Sequence, residues 1–238
     1  MLVFTVVLSV GLCSCSKDDD DNNATSTTTG GGGLGQSSDD WVDLGLPSGL
    51  LWATHNVGAD SPEDYGDYFA WGETQPKEEY FSYTYAYYIS GSLVSITKYC
   101  VDPRAGYNGV ADYQTTLWPT DDAATVNWGG GARIPIRAEW DELIANTDTA
   151  WTTRNGVNGV LFTAANGNSL FLPAAGCMED GPLDTGAICL YWSSSLFTDN
   201  LAYSTDSDYA WGFCSDYPGM NHCARSFGLT VRAVFSAR

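Results

Sequence analysis

Basic residues and histidines are scarce in this sequence. It contains 10 Lys and Arg against 29 Asp and Glu, a formal net charge of −19, and 2 histidines, His55 and His222. Nucleic-acid phosphates and anionic membrane surfaces both attract clustered Lys and Arg, so this balance argues against either partner. No Ser/His/Asp arrangement can be placed on two histidines by spacing alone.

Long amphipathic helices are also missing. The chain instead has 26 glycines, which punctuate it throughout, together with 9 Trp and 14 Tyr. These features predict a loop-rich and strand-rich globular domain that is large enough to bury one sizeable core.

One apolar stretch opens the chain, and it is too short to span a bilayer. Met1 to Leu12 is followed by Cys13, Ser14 and Cys15, and then by an acidic run that ends at Asp21. The pattern resembles a bacterial lipoprotein signal in residues 1–15 with Cys15 as the lipidated residue; a buried apolar strand is the alternative. Lipidation would tether the protein without a transmembrane helix.

The acidic run after Cys15 bears on location. Lys17 followed by four aspartates resembles the surface-export tag of lipoproteins in Bacteroides-like bacteria, which implies a cell-surface-exposed outer-membrane lipoprotein. A solvated acidic spacer in a periplasmic protein is the alternative. Residues 16–40 are rich in Asp, Asn, Thr, Ser and Gly and predict a flexible linker, so the folded domain is expected at 41–238.

Five cysteines lie in that domain, and their number is odd. Their spacing fits no zinc or redox motif, which excludes a complete disulfide framework and leaves room for one or two bridges. The five are Cys100, Cys177, Cys189, Cys214 and Cys223.

Local patterns predict a few elements. Pro47-Ser48-Gly49 marks a turn between two short strands, and Asn166-Gly167 marks a hairpin. Asp121-Asp122 predicts a capped short helix, and the segment from Pro135 to Ala145 predicts the clearest helix. Further strands are expected at the segments 191–196 and 229–235.

Two segments lack a clear period. Residues 76–119, rich in Tyr, Thr and Ser, predict a long surface excursion with one or two strands. The region between Leu196 and Gly228 mixes aromatic, acidic and thiol residues without a regular pattern. A rigid scaffold that displays an irregular surface is how binding loops are built, so we expect binding residues there.

A succession of motifs resembles the Fibrobacter succinogenes major paralogous domain family across nearly all of 41–238. The resemblance implies an α+β, C-type-lectin-like fold with two short helices, small antiparallel sheets and long irregular loops. The chain departs from the family pattern at Ile136, where a capping Thr or Ser is expected, and at Ala233, where many relatives have Pro. The motifs are Asp43–Ala53, Tyr65–Glu73, Arg133–Pro135 with Glu139-Trp140, Leu172–Gly176, Tyr191–Ser195 and Val231-Arg232.

The same fold serves the variable proteins of diversity-generating retroelements, including phage tropism determinants and Bacteroides lipoproteins. In diversified relatives, randomised Asn-type codons cannot become Lys, Glu, Gln, Trp or Met, and no Lys, Glu or Gln occurs between Cys189 and Gly228. The resemblance therefore implies a variable, ligand-binding face within 189–228, where Trp211 and Met220 would be fixed. The candidate residues are Leu196, Phe197, Asp199, Tyr203, Asp206, Asp208, Tyr209, Trp211, Phe213, Asp216, Tyr217, Asn221, His222, Ser226 and Phe227.

Several residues suggest catalysis or metal binding, but each also has a simpler structural explanation. His222 beside Cys223 suggests a thiol nucleophile or half a metal site, but exposed loop residues are favoured. Asp206-Ser207-Asp208 and Asp121-Asp122 could supply calcium ligands, although capping or solvation is favoured. Trp52, Trp71, Trp140 and Trp192 are expected in the core. Arg133 and Arg232 are each expected to pair with a buried carboxylate.

These observations predict a non-enzymatic, surface-displayed recognition or adhesion module that needs no cofactor or metal. Its expected partner is a protein or glycan on another cell, a phage or a host surface, and its membrane contact runs only through the lipid. The alternatives are a structural component of a fimbria or envelope and, with less support, an enzyme related to the formylglycine-generating enzymes, which share a related fold.

Overall fold

The computed structural model describes residues 40–89, 95–199, 206–217 and 219–236. All of them belong to one compact unit. The predicted lipoprotein signal with Cys15, nearly all of the predicted linker, and Tyr203 lie outside the described residues. None of the described helices has the length and apolar character that a bilayer-spanning helix requires.

The described residues form an α+β fold, as predicted, with two short helices and several small sheets. The helices are α1 (Ala123–Trp128) and α2 (Arg137–Ala145). The strands are β1 (Trp41–Asp43), β2 (Leu50–Ala53), β3 (Tyr68–Phe69), β4 (Thr147–Arg154), β5 (Val157–Ala164), β6 (Ser169–Pro173), β7 (Cys177–Glu179), β8 (Gly181–Leu183), β9 (Leu190–Leu196), β10 (Tyr209–Cys214), β11 (Met220–Ala224), β12 (Leu229–Thr230) and β13 (Val234–Ser236).

Four sheets organise these described strands. Their orders are β1-β2-β13, β11-β10-β9-β12-β3, β4-β5-β6 and β7-β8. The pairings among them are antiparallel except that of β12 with β9. The predicted turn at Pro47–Gly49 and the predicted hairpin at Asn166-Gly167 are confirmed, because they join β1 to β2 and β5 to β6.

Both predicted helices are present. The Asp122 carboxylate accepts a hydrogen bond from the Thr125 N–H and caps α1. At α2 the Glu139 carboxylate accepts from the Ile136 N–H at 2.9 Å and also pairs with Arg133 at 2.7 Å. Glu139 therefore anchors the start of the helix where Ile136 cannot cap it, and the predicted carboxylate partner of Arg133 is confirmed.

The four tryptophans expected in the core are all buried, with exposed fractions of 1% or less. Trp52 packs edge-on against Trp140, their ring centres 4.9 Å apart. The indole N–H groups of Trp71 and Trp192 donate to the carbonyls of Ser193 and Phe69, at 2.8 and 2.6 Å. These two rings are thus buried with their polar atoms satisfied, which fixes β9 against β3.

The segment 76–119 is not the surface excursion that its composition predicts. Tyr80, Tyr85, Tyr88, Ile96 and Cys100 are buried and form a separate core cluster. Its described residues hold short 3-10 turns and isolated bridges in place of extended strands. Tyrosine misled the prediction, because its ring is apolar enough to build a core while its hydroxyl finds a nearby carbonyl.

The predicted carboxylate partner of Arg232 is also wrong. Arg232 is fully buried, and its guanidinium donates to Asn56 Oδ1 at 2.9 Å and to the Ala53 carbonyl at 3.0 Å, in place of the predicted carboxylate. Burial lowers the pKa of Arg232 to about 10. The predicted strand at 229–235 is two strands in the structure. β12 precedes Arg232 and β13 follows it, and the two strands join different sheets.

The region between Leu196 and Gly228 is more regular than predicted, because β10 and β11 form an antiparallel hairpin there. Tyr209, Trp211 and Phe213 alternate with the small residues Ala210 and Gly212. That alternation is a strand signal of period two, and the surrounding acidic and thiol residues obscured it.

Buried and half-buried tyrosines make the stability of the fold fall as the pH rises into the alkaline range. Burial raises the pKa of each phenol, so the folded state holds these groups neutral while the unfolded chain ionises them near their ordinary pKa of 10. Their stabilising contribution is fully present below that pH and is lost as the pH rises through the folded-state values. The half-buried groups are Tyr68, whose pKa is raised to about 12, and Tyr87, and the buried groups are Tyr80, Tyr85, Tyr88, Tyr99 and Tyr191.

We expect the free energy of unfolding to fall by at least about 3 kcal/mol per pH unit above pH ~10.5, because each phenol contributes up to about 1.4 kcal/mol per unit. Arg232 has a lowered pKa in the folded state and therefore loses its proton there first. This reduces the slope by at most one proton, about 1.4 kcal/mol per pH unit. Urea unfolding at a series of pH values, with tyrosinate absorbance followed in parallel, measures this slope. A free energy of unfolding that stays level through this range would contradict the burial of the tyrosines.

Candidate functional site

Four rings from β10, β11 and the residue after β9 meet on one face of the five-stranded sheet. We call Phe197, Tyr209, Trp211 and His222 the aromatic ledge. Phe197 lies 4.8 Å from Trp211 and 4.6 Å from His222, and Tyr209 lies 5.1 Å from His222, measured between ring centres. Trp211 and His222 are directly paired across β10 and β11, so strand register sets the geometry.

Exposure differs among the four rings. Trp211 is buried and forms the base of the ledge, Phe197 and Tyr209 are half-buried, and His222 is exposed. The ledge therefore presents three accessible rings on a fourth that is held by packing. Rings that are already fixed in this way lose little side-chain entropy when a ligand covers them.

Arg137 completes the ledge, and sequence reasoning missed it. Its guanidinium carbon lies 3.6 Å from the centre of the Trp211 ring, and its Nη1 donates to Asp199 Oδ2 at 2.8 Å. Arg137 is the first residue of α2, so this contact attaches the helix to the sheet below the ledge. Asp199 was predicted as a binding residue, and its exposed carboxylate compensates the charge beside the rings.

Several predicted residues are too buried to contact a ligand, and these predictions are corrected. Phe213 stacks on Trp140 with 5.4 Å between ring centres, and Leu196 packs in the core beside Trp192. Asp208 and Ser226 are also buried, because the turn before β10 and the turn after β11 fold inward around Arg225. Trp211 acts as support for the ledge.

The remaining predicted residues lie away from the ledge or are only partly described. Tyr217 and Asp216 are exposed in the β10–β11 turn, and half-buried Asn221 points to the opposite face of the hairpin from His222. Phe227 is half-buried on that opposite side and packs on the core. Asp206 opens a 3-10 turn, Asp206–Asp208.

Clefts border this region on two sides. One of about 360 Å³ lies along β11 and is lined by Cys177, Leu190, Tyr209, His222, Cys223 and Phe227 among others. A smaller cleft of about 240 Å³ runs between Trp151 on β4 and Tyr217. A third, of about 520 Å³, is lined by Asp40, His55, Asp60, Asp67 and Trp128 among others and lies apart from the predicted residues.

The cysteines have the wrong environment for a nucleophile. All five in the described residues are free, so no predicted bridge is present among them. Burial raises the pKa of Cys214, and it raises the pKa of Cys189 and Cys223 to about 12. A reactive thiol needs a lowered pKa, and these thiols are shifted in the opposite direction.

Asp121 and Asp122, which were considered as calcium ligands, have structural roles. Asp121 contacts Lys98 and the Tyr99 hydroxyl, while Asp122 caps α1 and also accepts from the Ile134 N–H at 2.9 Å. Among the residues that the structure describes, no group of three or more His, Cys, Asp or Glu is placed to hold a metal ion.

Comparisons with known proteins add no relative. No protein-family model matches the chain, no curated protein matches it, and no solved structure matches it.

Proposed function

We propose that this domain is a non-enzymatic recognition module that binds a protein or glycan through the aromatic ledge. The observation that carries the proposal is the contact set of Phe197, Tyr209 and His222 around buried Trp211. Clustered, partly exposed aromatic rings on a rigid support are the usual anchors of binding surfaces. Recognition would then depend on shape and apolar contact.

The charge around the ledge favours a neutral or basic partner. The chain carries a net charge of −19, and the cation that the described residues place beside the rings, Arg137, is compensated by Asp199 and Asp141. An acidic ligand would meet long-range repulsion that this compensated cation does little to offset.

The raised thiol pKa values support a binding role over the enzyme alternative. A catalytic Cys223 would need His222 as its base, but their side chains point to opposite faces of the hairpin, since Trp211 faces His222 and Ala210 faces Cys223. The ring of His222 instead contacts Phe197 and Tyr209.

The finer fold and the cellular location belong to the same proposal. The motifs that suggest a C-type-lectin-like domain contact one another, because Trp140 donates to the Trp192 carbonyl and Trp71 to the Ser193 carbonyl. These contacts support the lectin-like fold. Separately, the Cys15 signal and the acidic linker support a lipid-anchored protein on the outer-membrane surface. Globomycin, which blocks lipoprotein processing, should cause the unprocessed chain to accumulate; unchanged processing would refute the anchor.

Binding arrays test the recognition role. The full chain is screened against immobilised proteins and neutral and acidic glycans, beside F197A/H222A and the control Y113A, which removes an exposed ring (64% exposed) elsewhere. We expect hits of the native protein to persist in Y113A and to weaken at least about tenfold in F197A/H222A, the loss typical of interface anchors. Equal binding by all three proteins would refute the assigned face.

Diversification is a separate proposal. If the gene is a retroelement target, the variable positions should be the accessible ones, such as Phe197, Tyr209, Asp216, Tyr217 and His222, and should spare buried Leu196 and Phe213. Sequencing the gene's neighbourhood tests this. A near-repeat template beside a reverse transcriptase gene would support it, and a locus without them would remove it.

A further inference from the structure

Among the described strands, none pairs with the long edge of β4 that faces away from β6. β4 runs over eight residues and forms the outer strand of the β4-β5-β6 sheet. Its pairing with β5 is continuous from Thr147 to Arg154 without a bulge, and six of its eight residues are exposed. Natural edges are usually shortened, bulged or protected by charged side chains or Pro. β4 is long, unbulged and free of Lys and Pro, and its two charged residues, Asp148 and Arg154, lie near its ends.

The backbone groups on the open side can be assigned. The turn Asn155-Gly156 has positive φ at both residues (48° and 84°), which is the two-residue hairpin turn whose flanking pair, Arg154 and Val157, exchanges hydrogen bonds. Antiparallel pairs alternate, so Thr149, Trp151 and Thr153 direct their N–H and C=O groups outward. Asn158, the β5 partner of Thr153, supports this assignment. Its carbonyl accepts a hydrogen bond from the Ala174 N–H, on the side of β5 that faces β6.

The side chains of β4 match a second copy of the same strand. When two β4 strands pair antiparallel about a two-fold axis at Trp151, Asp148 lies opposite Arg154 of the second copy, and Thr149 lies opposite Thr153. Within its own chain the Nε of Arg154 already pairs with Glu63 at 3.1 Å, so in the dimer its half-exposed guanidinium would bridge two carboxylates. Both charge pairs form by symmetry, and the two Trp151 rings become neighbours. Shifting the register by two residues in either direction places Asp148 and Arg154 opposite other residues and removes both pairs.

Trp151 gives the pairing an apolar centre. Its ring is 50% exposed and lines the 240 Å³ cleft with Ile144 and Tyr217. A second Trp151 on the same face would cover this ring at the mouth of the cleft. Cross-strand aromatic pairs, Thr pairs and opposite charges are the contacts that stabilise antiparallel strands.

We propose that β4 is a homodimerisation strand, which joins two copies of this chain through antiparallel pairing centred on Trp151 into one six-stranded sheet. The interface is isologous, so it closes at two copies and cannot extend into a fibre. The net charge of −19 on each copy opposes association, and salt at about 0.15 M screens that repulsion beyond about 8 Å. This inference does not depend on the aromatic ledge.

Sedimentation velocity of the full chain in a mild non-ionic detergent, from micromolar to millimolar concentration, tests the proposal. We expect a monomer–dimer equilibrium whose dissociation constant increases at least about tenfold in D148R and in R154D, because each replaces two attractive pairs with two repulsive ones. R154D also removes the pair with Glu63 of the same chain, so a native circular dichroism spectrum of this variant is required first. An equimolar mixture of the two variants should recover the dimer, since each strand then faces its opposite in charge. The control E78R reverses the charge of an exposed carboxylate outside β4 and its cleft, and it should dimerise like the native chain.

A backbone variant separates strand pairing from folding. T149P removes an outward N–H, which β5 does not use, so the fold should survive, as judged by circular dichroism, while the dimer is lost. A native chain that remains monomeric at every concentration would overturn the proposal. A dimer that D148R and T149P leave unchanged, or a mixture of D148R and R154D that stays monomeric, would also overturn it.

Discussion

Replacing Arg225 with Ala should destabilise the domain by about 3–5 kcal/mol, which is the largest effect that we expect from truncating any buried side chain. Arg225 is fully buried. Its guanidinium donates to the carbonyls of Lys98, Tyr99 and Ser207 at 3.0, 3.2 and 2.9 Å, and to the Tyr85 hydroxyl at 2.9 Å. The variant leaves these acceptors without their donor and opens a cavity.

The position of Arg225 explains why the effect is large. Its guanidinium carbon lies 4.8 Å from the Trp71 ring centre and 5.4 Å from the Tyr85 ring centre. It therefore links the tyrosine-rich cluster of residues 80–105 to the end of β11. Loss of this one side chain should loosen the cluster and the turn that precedes β10 together.

Urea unfolding of R225A beside R104A measures the difference. Arg104 is also paired, with Asp102, but its side chain is 64% exposed, so R104A should change the free energy of unfolding far less than R225A does. If R225A were as stable as R104A, the buried guanidinium would not hold the cluster together.

Replacing Gly176 with Ala should cost about 2–5 kcal/mol. Gly176 ends the Leu172–Gly176 motif with φ of 64°, and a Cβ added there would lie 2.1 Å from the Leu183 carbonyl oxygen and 2.7 Å from the Thr185 nitrogen. The left-handed backbone costs any other residue about 1–2 kcal/mol, and the clash with fixed backbone adds about 1–3 kcal/mol.

Gly167 provides the matched control, because it has a φ of 86° but no described atom within 4 Å of where an added Cβ would lie. G167A should therefore show the conformational cost alone. Thermal unfolding of both variants separates the two contributions, and equal losses would mean that the crowding at Gly176 is relieved by a small backbone shift.

Local signals in the sequence were enough to predict the two helices and the hairpin at Asn166-Gly167. These elements depend on short-range physics, such as a carboxylate that caps α1 or a turn that needs positive φ. The four core tryptophans were also predictable, because they lie in the motifs that carry the family resemblance.

The candidate site was only partly predictable. Phe197, Tyr209 and His222 were identified, but buried Phe213 and Leu196 were assigned to the same face, since burial depends on which strand packs below.

Some contributors carried no local signal at all. Arg137 and Trp151 were missed because their significance comes from contacts with residues distant in sequence or from an open strand edge. Arg225 was missed because its acceptors are mostly backbone carbonyls that only the folded chain brings together.

Mapping a bound ligand by NMR tests the central claim most directly. A hit from the arrays is titrated into isotope-labelled protein, and the amide and side-chain shifts are followed residue by residue. We predict that the largest shifts fall on Phe197, Tyr209 and His222, with smaller changes at Arg137. Shifts centred on the acidic cleft at Asp60 and Trp128, with the ledge unchanged, would contradict the account.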